Sequence, residues 1–352
     1  MRAMRVLVVG PQFPDSFARN VAVTLQAMGH TVATADAPKG RHHGNRYVNA
    51  FWQVGRSAIP ALERAAYRGL IRKARSFGPD LVLVTHGRMP PQVVEELKAE
   101  VAPKVVCWFT DALDNLYRMY LIASPFDALF LKEPYLVRTL RDKLGRNTYY
   151  LPECCNPLWH RQIILSGEAS REYRCDLCAM GSLHYYRAQM LEDFAGCDLK
   201  VWGRNCPPWL KSPVRELYAN CYVAEYQKAR AFLSTKIVLN TMMYSEIEGV
   251  NCALFEIAGC GAFQIADWKP ALPELFEPEV EIVTFRTGQE LKEKVDHYLA
   301  HPEERLQIAM RAHIRAHREH TYQIRLEKMF ELLAPSPPVA APTPELAFSC
   351  RS

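Results

Sequence analysis

Two glutamates with a defined spacing are the residues of this chain best suited to chemistry. Seven residues separate Glu248 from Glu256, and only Glu256 lies inside the apolar run 253–258, which has a helical period. Amides at the N-terminus of that helix would stabilise a phosphate, and a carboxylate can accept from two vicinal hydroxyls of a sugar. The pair therefore predicts a site for a phosphorylated sugar compound, although Glu256 would also fit the solvent-facing side of an amphipathic helix.

Composition limits the kinds of protein that this chain can be. The chain has 352 residues, 49% hydrophobic content and a net charge of +5, which indicate a globular protein with two domains and no nucleic-acid-binding patch. Its N-terminus lacks a secretory signal, and no stretch is long enough to span a bilayer. Eleven irregularly spaced cysteines then predict free thiols and a cytoplasmic location.

The first part of the chain has the pattern of a parallel α/β sheet. A strand at 4–9, a helix at 16–28 and a strand at 30–34 form a βαβ unit, and further strands are predicted at 81–84, 105–109, 127–131 and 148–151. The turn after the first strand lacks GxGxxG, which argues against a nicotinamide or flavin dinucleotide there.

A second α/β series follows a linker at 152–171. Its strands are predicted at 175–180, 199–202, 237–240, 262–266 and 281–285, with Gly259 and Gly261 forming the turn into the fourth. Helices follow at 288–299, 302–319 and 322–333. We expect two doubly wound, Rossmann-like domains at 1–160 and 172–320, with a ligand in the cleft between them. A helix at 321–333 should pack back on the first domain, and a Pro/Ala-rich tail at 334–352 should be disordered.

Polar residues follow two strands of the first series. His86 comes just after strand 81–84 and Asp111 just after strand 105–109, at the carboxyl ends where open α/β sheets bind ligands. Both are candidates for catalysis. Asp111 would equally serve as a helix cap, and His86 as a loop residue that satisfies backbone groups.

Nine stretches, taken in order, resemble the CgeB-like glycosyltransferases, a family named for a spore-maturation protein. They are VVCWFTDALDN, FDALFLKEPYLVRTLRDKLG, YYLPECCNP, DLCAMGSLHYYR, DLKVWGRN, STKIVLN, GVNCALFEIAGCGAFQIADW, PELFEPEVEIVTF and REHTYQIRLEKM. The resemblance implies the GT-B fold, a nucleotide-sugar donor held by the C-terminal domain, an acceptor approached from the N-terminal domain, and a hexosyltransferase-type reaction.

The resemblance also implies roles for residues. Glu256 would hold the ribose hydroxyls and Glu248 would lie near the donor sugar, as in the spaced glutamate pair of retaining GT-B enzymes. CgeB-like sequences usually carry an arginine where this chain has Ala253, so either phosphate binding is weaker here or another basic residue supplies the charge. The predicted donor site comprises Glu256, Gly181, Ser182, Arg187, Trp202, Gly203, Arg204, Lys236 and Asn251, with Trp202 either stacked on the nucleobase or part of the core.

The type of reaction determines which group is catalytic. An inverting enzyme needs a base for the acceptor hydroxyl, a role that suits Asp111. A retaining enzyme needs a group that stabilises charge on the donor, which Asp111, His86 or Glu248 could supply. No DxD motif is present, so we expect no metal and no cofactor, only a co-substrate sugar linked to UDP, dTDP or GDP.

Other interpretations stay open. A nucleotide-sugar epimerase shares the GT-B fold, and a catalytically silent binding module would tolerate Ala253. The acceptor is undetermined: a glycan, a lipid-linked glycan, a protein, a small molecule or a modified nucleic acid. The helical spacing of His313, His317 and His320 among arginines predicts a solvated basic face.

Overall fold

The computed structural model describes residues 2–36, 59–111, 119–167 and 171–334. A six-stranded parallel sheet with the order β2-β1-β3-β4-β5-β6 forms the N-terminal domain. Its strands are β1 (Arg5–Val9), β2 (Thr31–Ala35), β3 (Leu81–Val84), β4 (Val105–Phe109), β5 (Ala128–Leu131) and β6 (Thr148–Tyr150). The register is parallel at every pairing, with Val6 opposite both Val32 and Leu81.

A five-stranded parallel sheet forms the C-terminal domain, with the order β11-β10-β9-β7-β8. Its strands are β7 (Cys175–Met180), β8 (Leu199–Trp202), β9 (Thr235–Asn240), β10 (Gln264–Asp267) and β11 (Val283–Phe285). Both sheets start in the middle and are extended to both sides, which is the doubly wound arrangement that the alternation of strands and helices predicts. The exact domain boundaries stay predictions.

Helices cover both faces of the sheets. They are α1 (Phe17–Ala27), α2 (Pro60–Ala66), α3 (Arg68–Phe77), α4 (Pro91–Glu100), α5 (Met119–Ala123), α6 (Pro134–Leu144), α7 (Tyr185–Leu191), α8 (Tyr226–Leu233), α9 (Cys252–Cys260), α10 (Leu272–Leu275), α11 (Gly288–Ala300), α12 (Pro302–Glu319) and α13 (Tyr322–Leu333). Among the described residues, no helix is both long and apolar enough to cross a membrane.

The last helix belongs to the core of the first domain. Tyr322, Leu326 and Met329 of α13 are buried in the same apolar cluster as Val8 and Trp108 of the first sheet. The predicted return of the C-terminal helix to the N-terminal domain is therefore confirmed. The tail is predicted at 334–352, and its residues 335–352 lie outside the described residues.

Two predictions at the C-terminal domain needed correction. The strand predicted at 281–285 begins at Val283, because Glu277–Ile282 forms a turn in which the Glu279 N–H donates to the Ile282 carbonyl at 2.8 Å. The solvated histidine face is wrong: the rings of His313 and His317 each lie 2.9 Å from the Gly259 carbonyl at the end of α9, and His320 is buried. These rings satisfy carbonyls that the helix itself leaves unpaired.

Candidate functional site

A cavity of about 930 Å³ lies where the two domains meet. Loops at the carboxyl ends of β7 and β8 form one wall, and α9 and the segment 222–228 form another. The N-terminal domain closes the cavity with the loop after β1, where the Tyr222 hydroxyl donates to the Pro14 carbonyl at 3.2 Å. The cavity therefore occupies the place where open α/β sheets bind ligands.

Glycines let two loops of the C-terminal domain approach each other at this cavity. The Gly181 N–H donates to the Trp202 carbonyl at 2.8 Å, and Gly181 has a φ of +122°. A Cβ atom on Gly203 would lie 2.1 Å from the Gly181 carbonyl oxygen, so no side chain fits there. The cavity is lined by the predicted residues Gly181, Ser182 and Gly203. Since the two glycines have no side chains, a ligand can approach the main chain closely there.

Arg187 supports this loop from behind. Its guanidinium donates to the Ser182 carbonyl at 2.7 Å, and to the hydroxyl and the carbonyl of Thr241 at 3.0 and 2.9 Å. Burial lowers the pKa of Arg187. Because these donors are directed at the protein, Arg187 positions the Gly181–Ser182 loop and is not among the residues that line the cavity.

Glu256 lies on the cavity wall, in the second turn of α9, and only 7% of its surface is exposed. Its Oε2 accepts from the Lys228 ammonium at 3.0 Å, and Lys228 also forms an ion pair with Asp15 of the N-terminal domain. His160 Nε2 lies 3.4 Å from Asp15 Oδ1 and 3.8 Å from Glu256 Oε1. We call Asp15, His160, Lys228 and Glu256 the cleft cluster.

Charges in the cleft cluster are mutually stabilised. Burial raises the pKa of Asp15, but the Lys228 ammonium and the His160 hydrogen bond outweigh burial and hold that pKa well below its usual range. Burial opposes the charge of Lys228, yet Glu256 and Asp15 hold its pKa well above the usual value. The Nδ1 atom of His160 accepts from the Asn156 N–H at 3.0 Å, so its Nε2 carries the proton that faces the carboxylates.

The cleft cluster has the residue types of a metal site but already holds a cation. Donor atoms of Asp15, His160 and Glu256 lie within 4.8 Å of one another. The Lys228 ammonium contacts both carboxylates, so a metal ion would have to displace it. The sequence did not predict Asp15, His160 or Lys228, because they lie far apart along the chain; the only available signal was the place of Asp15 after the first strand.

Glu248 lies outside the cavity. Its carboxylate accepts two hydrogen bonds from the Arg138 guanidinium of α6, at 2.9 and 2.6 Å. The N–H groups of residues 247–249 donate to the Glu133 carboxylate at 3.0–3.1 Å. The loop before α9 is thus bound to the N-terminal domain, and the structure does not bring Glu248 together with Glu256.

A second buried lysine joins the domains beside this loop. Lys132 Nζ lies 2.6 Å from Glu246 and 3.5 Å from Glu153, and all three side chains are less than a tenth exposed. Burial raises the pKa of Glu153 to about 7, although Lys132 opposes the shift. The charges of Glu246, Glu256 and Asp111 also raise this pKa.

His86 and Asp111 lie at the same edge of the first sheet as Asp15, at the ends of β3 and β4. The His86 Nδ1 accepts from the Arg88 N–H at 3.2 Å, so Nε2 carries the proton. Burial, together with the charge of Arg88, lowers the pKa of His86 to about 4. His86 is therefore a neutral donor at pH 7. Neither residue is among those that line the cavity.

The remaining candidates divide between the cavity and its surroundings. Arg204 lines the cavity, with its guanidinium 5.2 Å from the centre of the Tyr222 ring. Trp202 is buried against Tyr173, with ring centres 5.3 Å apart, and does not line it.

Asn251 caps α9 by accepting from the Leu254 N–H at 3.1 Å. Lys236 pairs with Asp176 at 2.6 Å, near the amino ends of β9 and β7, away from the cavity.

Another cavity, of about 650 Å³, lies between α2, α3 and α4. Four arginines line it, and two of them pair with Glu96: Arg64 at 2.9 Å and Arg75 at 3.3 Å. Its lining contains only helical residues, without a strand end or a glycine loop. We therefore place the candidate site in the cavity between the domains.

The sequence of this chain is similar to those of known proteins. Residues 187–331 match a family model described as "Glycosyl transferase-like". Spore protein CgeB of Bacillus subtilis (strain 168) is 25% identical over 258 residues, which cover 68% of this chain and 78% of CgeB. The resemblance to the CgeB-like proteins is confirmed.

Solved structures show the fold of this chain. Anabaena HepE in complex with UDP-glucose superposes with a TM-score of 0.66 at 11% identity, over 94% of this chain and 99% of HepE. Sucrose-phosphate synthase from Thermosynechococcus elongatus superposes with a TM-score of 0.64 at 12% identity, over 94% and 98% of the two chains. The fold is GT-B, with a glycosyl transferase-like C-terminal region.

Proposed function

We propose that this protein is a glycosyltransferase that takes a sugar from a nucleoside diphosphate donor in the cavity between its domains. The observation that carries this proposal is the Glu256 carboxylate, buried on the wall of a cavity whose other wall is the backbone of the Gly181 and Gly203 loops. A carboxylate accepts from the two ribose hydroxyls, and loop amides donate to a diphosphate. HepE, which shares the fold, is described in complex with UDP and glucose.

The donor diphosphate would meet the Ser182 amide and the Arg204 guanidinium, which both belong to the opposite wall. The donor is a sugar linked to UDP, GDP or dTDP, and the transfer is of the hexosyltransferase type. Glu248 would approach the donor sugar only after its ion pair with Arg138 opens.

The acceptor would approach from the carboxyl edge of the first sheet. Asp111 is the proposed base for its hydroxyl, since it is exposed at this edge. His86 is neutral and carries its proton on Nε2, so it would donate to developing negative charge rather than accept a proton. The Lys228 ammonium already neutralises part of the carboxylate charge, so we propose transfer without a metal, unaffected by EDTA.

A cytoplasmic location is part of the proposal. The ten cysteines among the described residues are all free thiols, and several are deeply buried. Free thiols persist in a reducing compartment.

Titration of UDP, GDP and dTDP into the protein, followed by hydrolysis assays with the corresponding sugar donors, tests this function. We expect Glu256→Gln to lower turnover of the preferred donor about 100-fold, because the glutamate positions the ribose. The control is Glu303→Gln, an exposed glutamate in the first turn of α12.

The outcomes separate the alternatives. No thermal shift and no turnover with any nucleoside diphosphate or donor refutes the proposal. Conversion of the donor into an epimer without acceptor would identify an epimerase instead. Binding that Glu256→Gln leaves unchanged, without turnover, would identify a binding module.

A further inference from the structure

The Lys228 ammonium has one N–H more than its partners use. An ammonium group carries three donors. Among the described residues its partners are two carboxylates, Asp15 and Glu256, and the side chain is 10% exposed. Both Lys228 and Glu256 line the cavity, so both side chains border the same space.

A ribose hydroxyl suits this pair better than a phosphate does. With His160 neutral, two carboxylates and one ammonium leave the cleft cluster with a net charge of about −1, which repels an anion. A hydroxyl is neutral and both donates and accepts. It can donate to Glu256 while it accepts from Lys228.

We propose that Lys228 is a second ribose-contacting residue, which makes the site select ribonucleoside over 2′-deoxyribonucleoside diphosphates. The inference rests on the proposed function, in which Glu256 binds the ribose. It narrows the donor to a ribonucleotide-linked sugar and disfavours dTDP. The 2′-hydroxyl completes both hydrogen bonds, whereas a 2′-deoxy ligand leaves one N–H of the ammonium and one acceptor position of the Glu256 carboxylate unfilled.

Asp15 is the positioning residue for Lys228. It comes from the N-terminal domain, has a left-handed backbone with φ of +59°, and accepts from Asn20 Nδ2 at 3.2 Å and from the Glu225 N–H at 3.4 Å. These contacts hold its carboxylate against the ammonium. Selection of the ribose therefore depends on both domains, even though Glu256 belongs to the C-terminal one.

The test measures the affinity of UDP and of 2′-deoxy-UDP for the wild type and for a Lys228→Met/Asp15→Asn variant, by isothermal titration calorimetry. This double substitution removes one cation and one carboxylate, so the net charge of the cluster stays at about −1, and thermal melting of the variant checks that it still folds with Glu256 unpaired. We expect the wild type to bind UDP at least ten times more tightly than 2′-deoxy-UDP. In the variant this affinity ratio should fall about tenfold, which corresponds to the loss of one charge-assisted hydrogen bond. Lys292→Met, at an exposed lysine of α11, is the control and keeps the wild-type preference.

The results distinguish two failures. If the wild type binds no nucleoside diphosphate, the proposed function fails, and this inference with it. If the wild type binds UDP, Glu256→Gln weakens binding, and the double variant keeps the wild-type preference, only the role of Lys228 is refuted. Should thermal melting show that the methionine variant is unfolded, Lys228→Gln/Asp15→Asn gives the same readout with a smaller expected loss, because its amide replaces the charged donor by a neutral one.

Discussion

Substituting Gly203 by alanine should damage the donor site without touching any charged residue. The added Cβ would lie 2.1 Å from the Gly181 carbonyl oxygen, 2.6 Å from the Gly181 carbonyl carbon and 2.8 Å from the Tyr218 hydroxyl. Ordinary van der Waals contact begins at 3.4 Å, so the Gly181 backbone must move by more than 1 Å. Gly181 and Ser182 line the cavity, and the movement displaces the Ser182 amide that is proposed to bind the diphosphate.

Overpacking of this size costs about 1–3 kcal/mol of unfolding free energy. A displaced loop should also lower UDP affinity about tenfold, since it removes at least one hydrogen bond to a charged group. Gly196→Ala is the matched control, because a Cβ there meets nothing within 4 Å and its φ is not positive. Both substitutions reduce the entropy of the unfolded chain equally, so their difference isolates the clash.

Urea denaturation of the two variants measures the stability, and calorimetric titration with UDP measures the affinity. The expected result is a lower midpoint and weaker UDP binding for Gly203→Ala alone. If Gly203→Ala matches Gly196→Ala in both measurements, the close approach of the two loops is not what shapes the site, and the reasoning from Gly181 fails.

Two further predictions concern buried charge. Lys132→Met leaves Glu246 and Glu153 buried without a cation and should cost about 3–5 kcal/mol in urea denaturation, whereas Lys132→Met/Glu246→Gln should cost less. Burial and the charge of Arg325 lower the pKa of His320 to about 4, below its unfolded value. The unfolded chain therefore binds a proton first, and stability should fall by up to roughly 3 kcal/mol as pH drops from about 6.5 to 4. His320→Gln should flatten this slope in denaturation curves measured across that pH range, and an unchanged slope would contradict the assignment.

Both buried lysines form ion pairs across the interface between the domains. Lys228 of the C-terminal domain is paired with Asp15 of the N-terminal domain, and Lys132 of the N-terminal domain is paired with Glu246 of the C-terminal domain. Each lysine therefore has a carboxylate partner in the other domain. Opening the cleft would separate both pairs, so the closed arrangement is favoured as long as these charges find no other partner.

The sequence by itself determined the elements and the residue on which the proposal depends. Apolar runs such as 81–84 and 105–109 are local patterns, and the structure has strands β3 and β4 there. Glu256 was a candidate because a few neighbouring residues suffice to predict its helix and the turn that ends it. Gly261, at that turn, has φ of +76°. Local hydrophobicity and local backbone conformation need no knowledge of the rest of the chain.

Only the tertiary structure decided what these elements face. Helical spacing correctly placed His313 and His317 on one face, but it could not show that the Gly259 carbonyl covers that face. Glu248 and Glu256 are close in sequence yet contact different partners, Arg138 and Lys228. The cleft cluster joins residues 15, 160, 228 and 256, and attraction between buried charges depends on distance in space, which spacing along the chain does not encode.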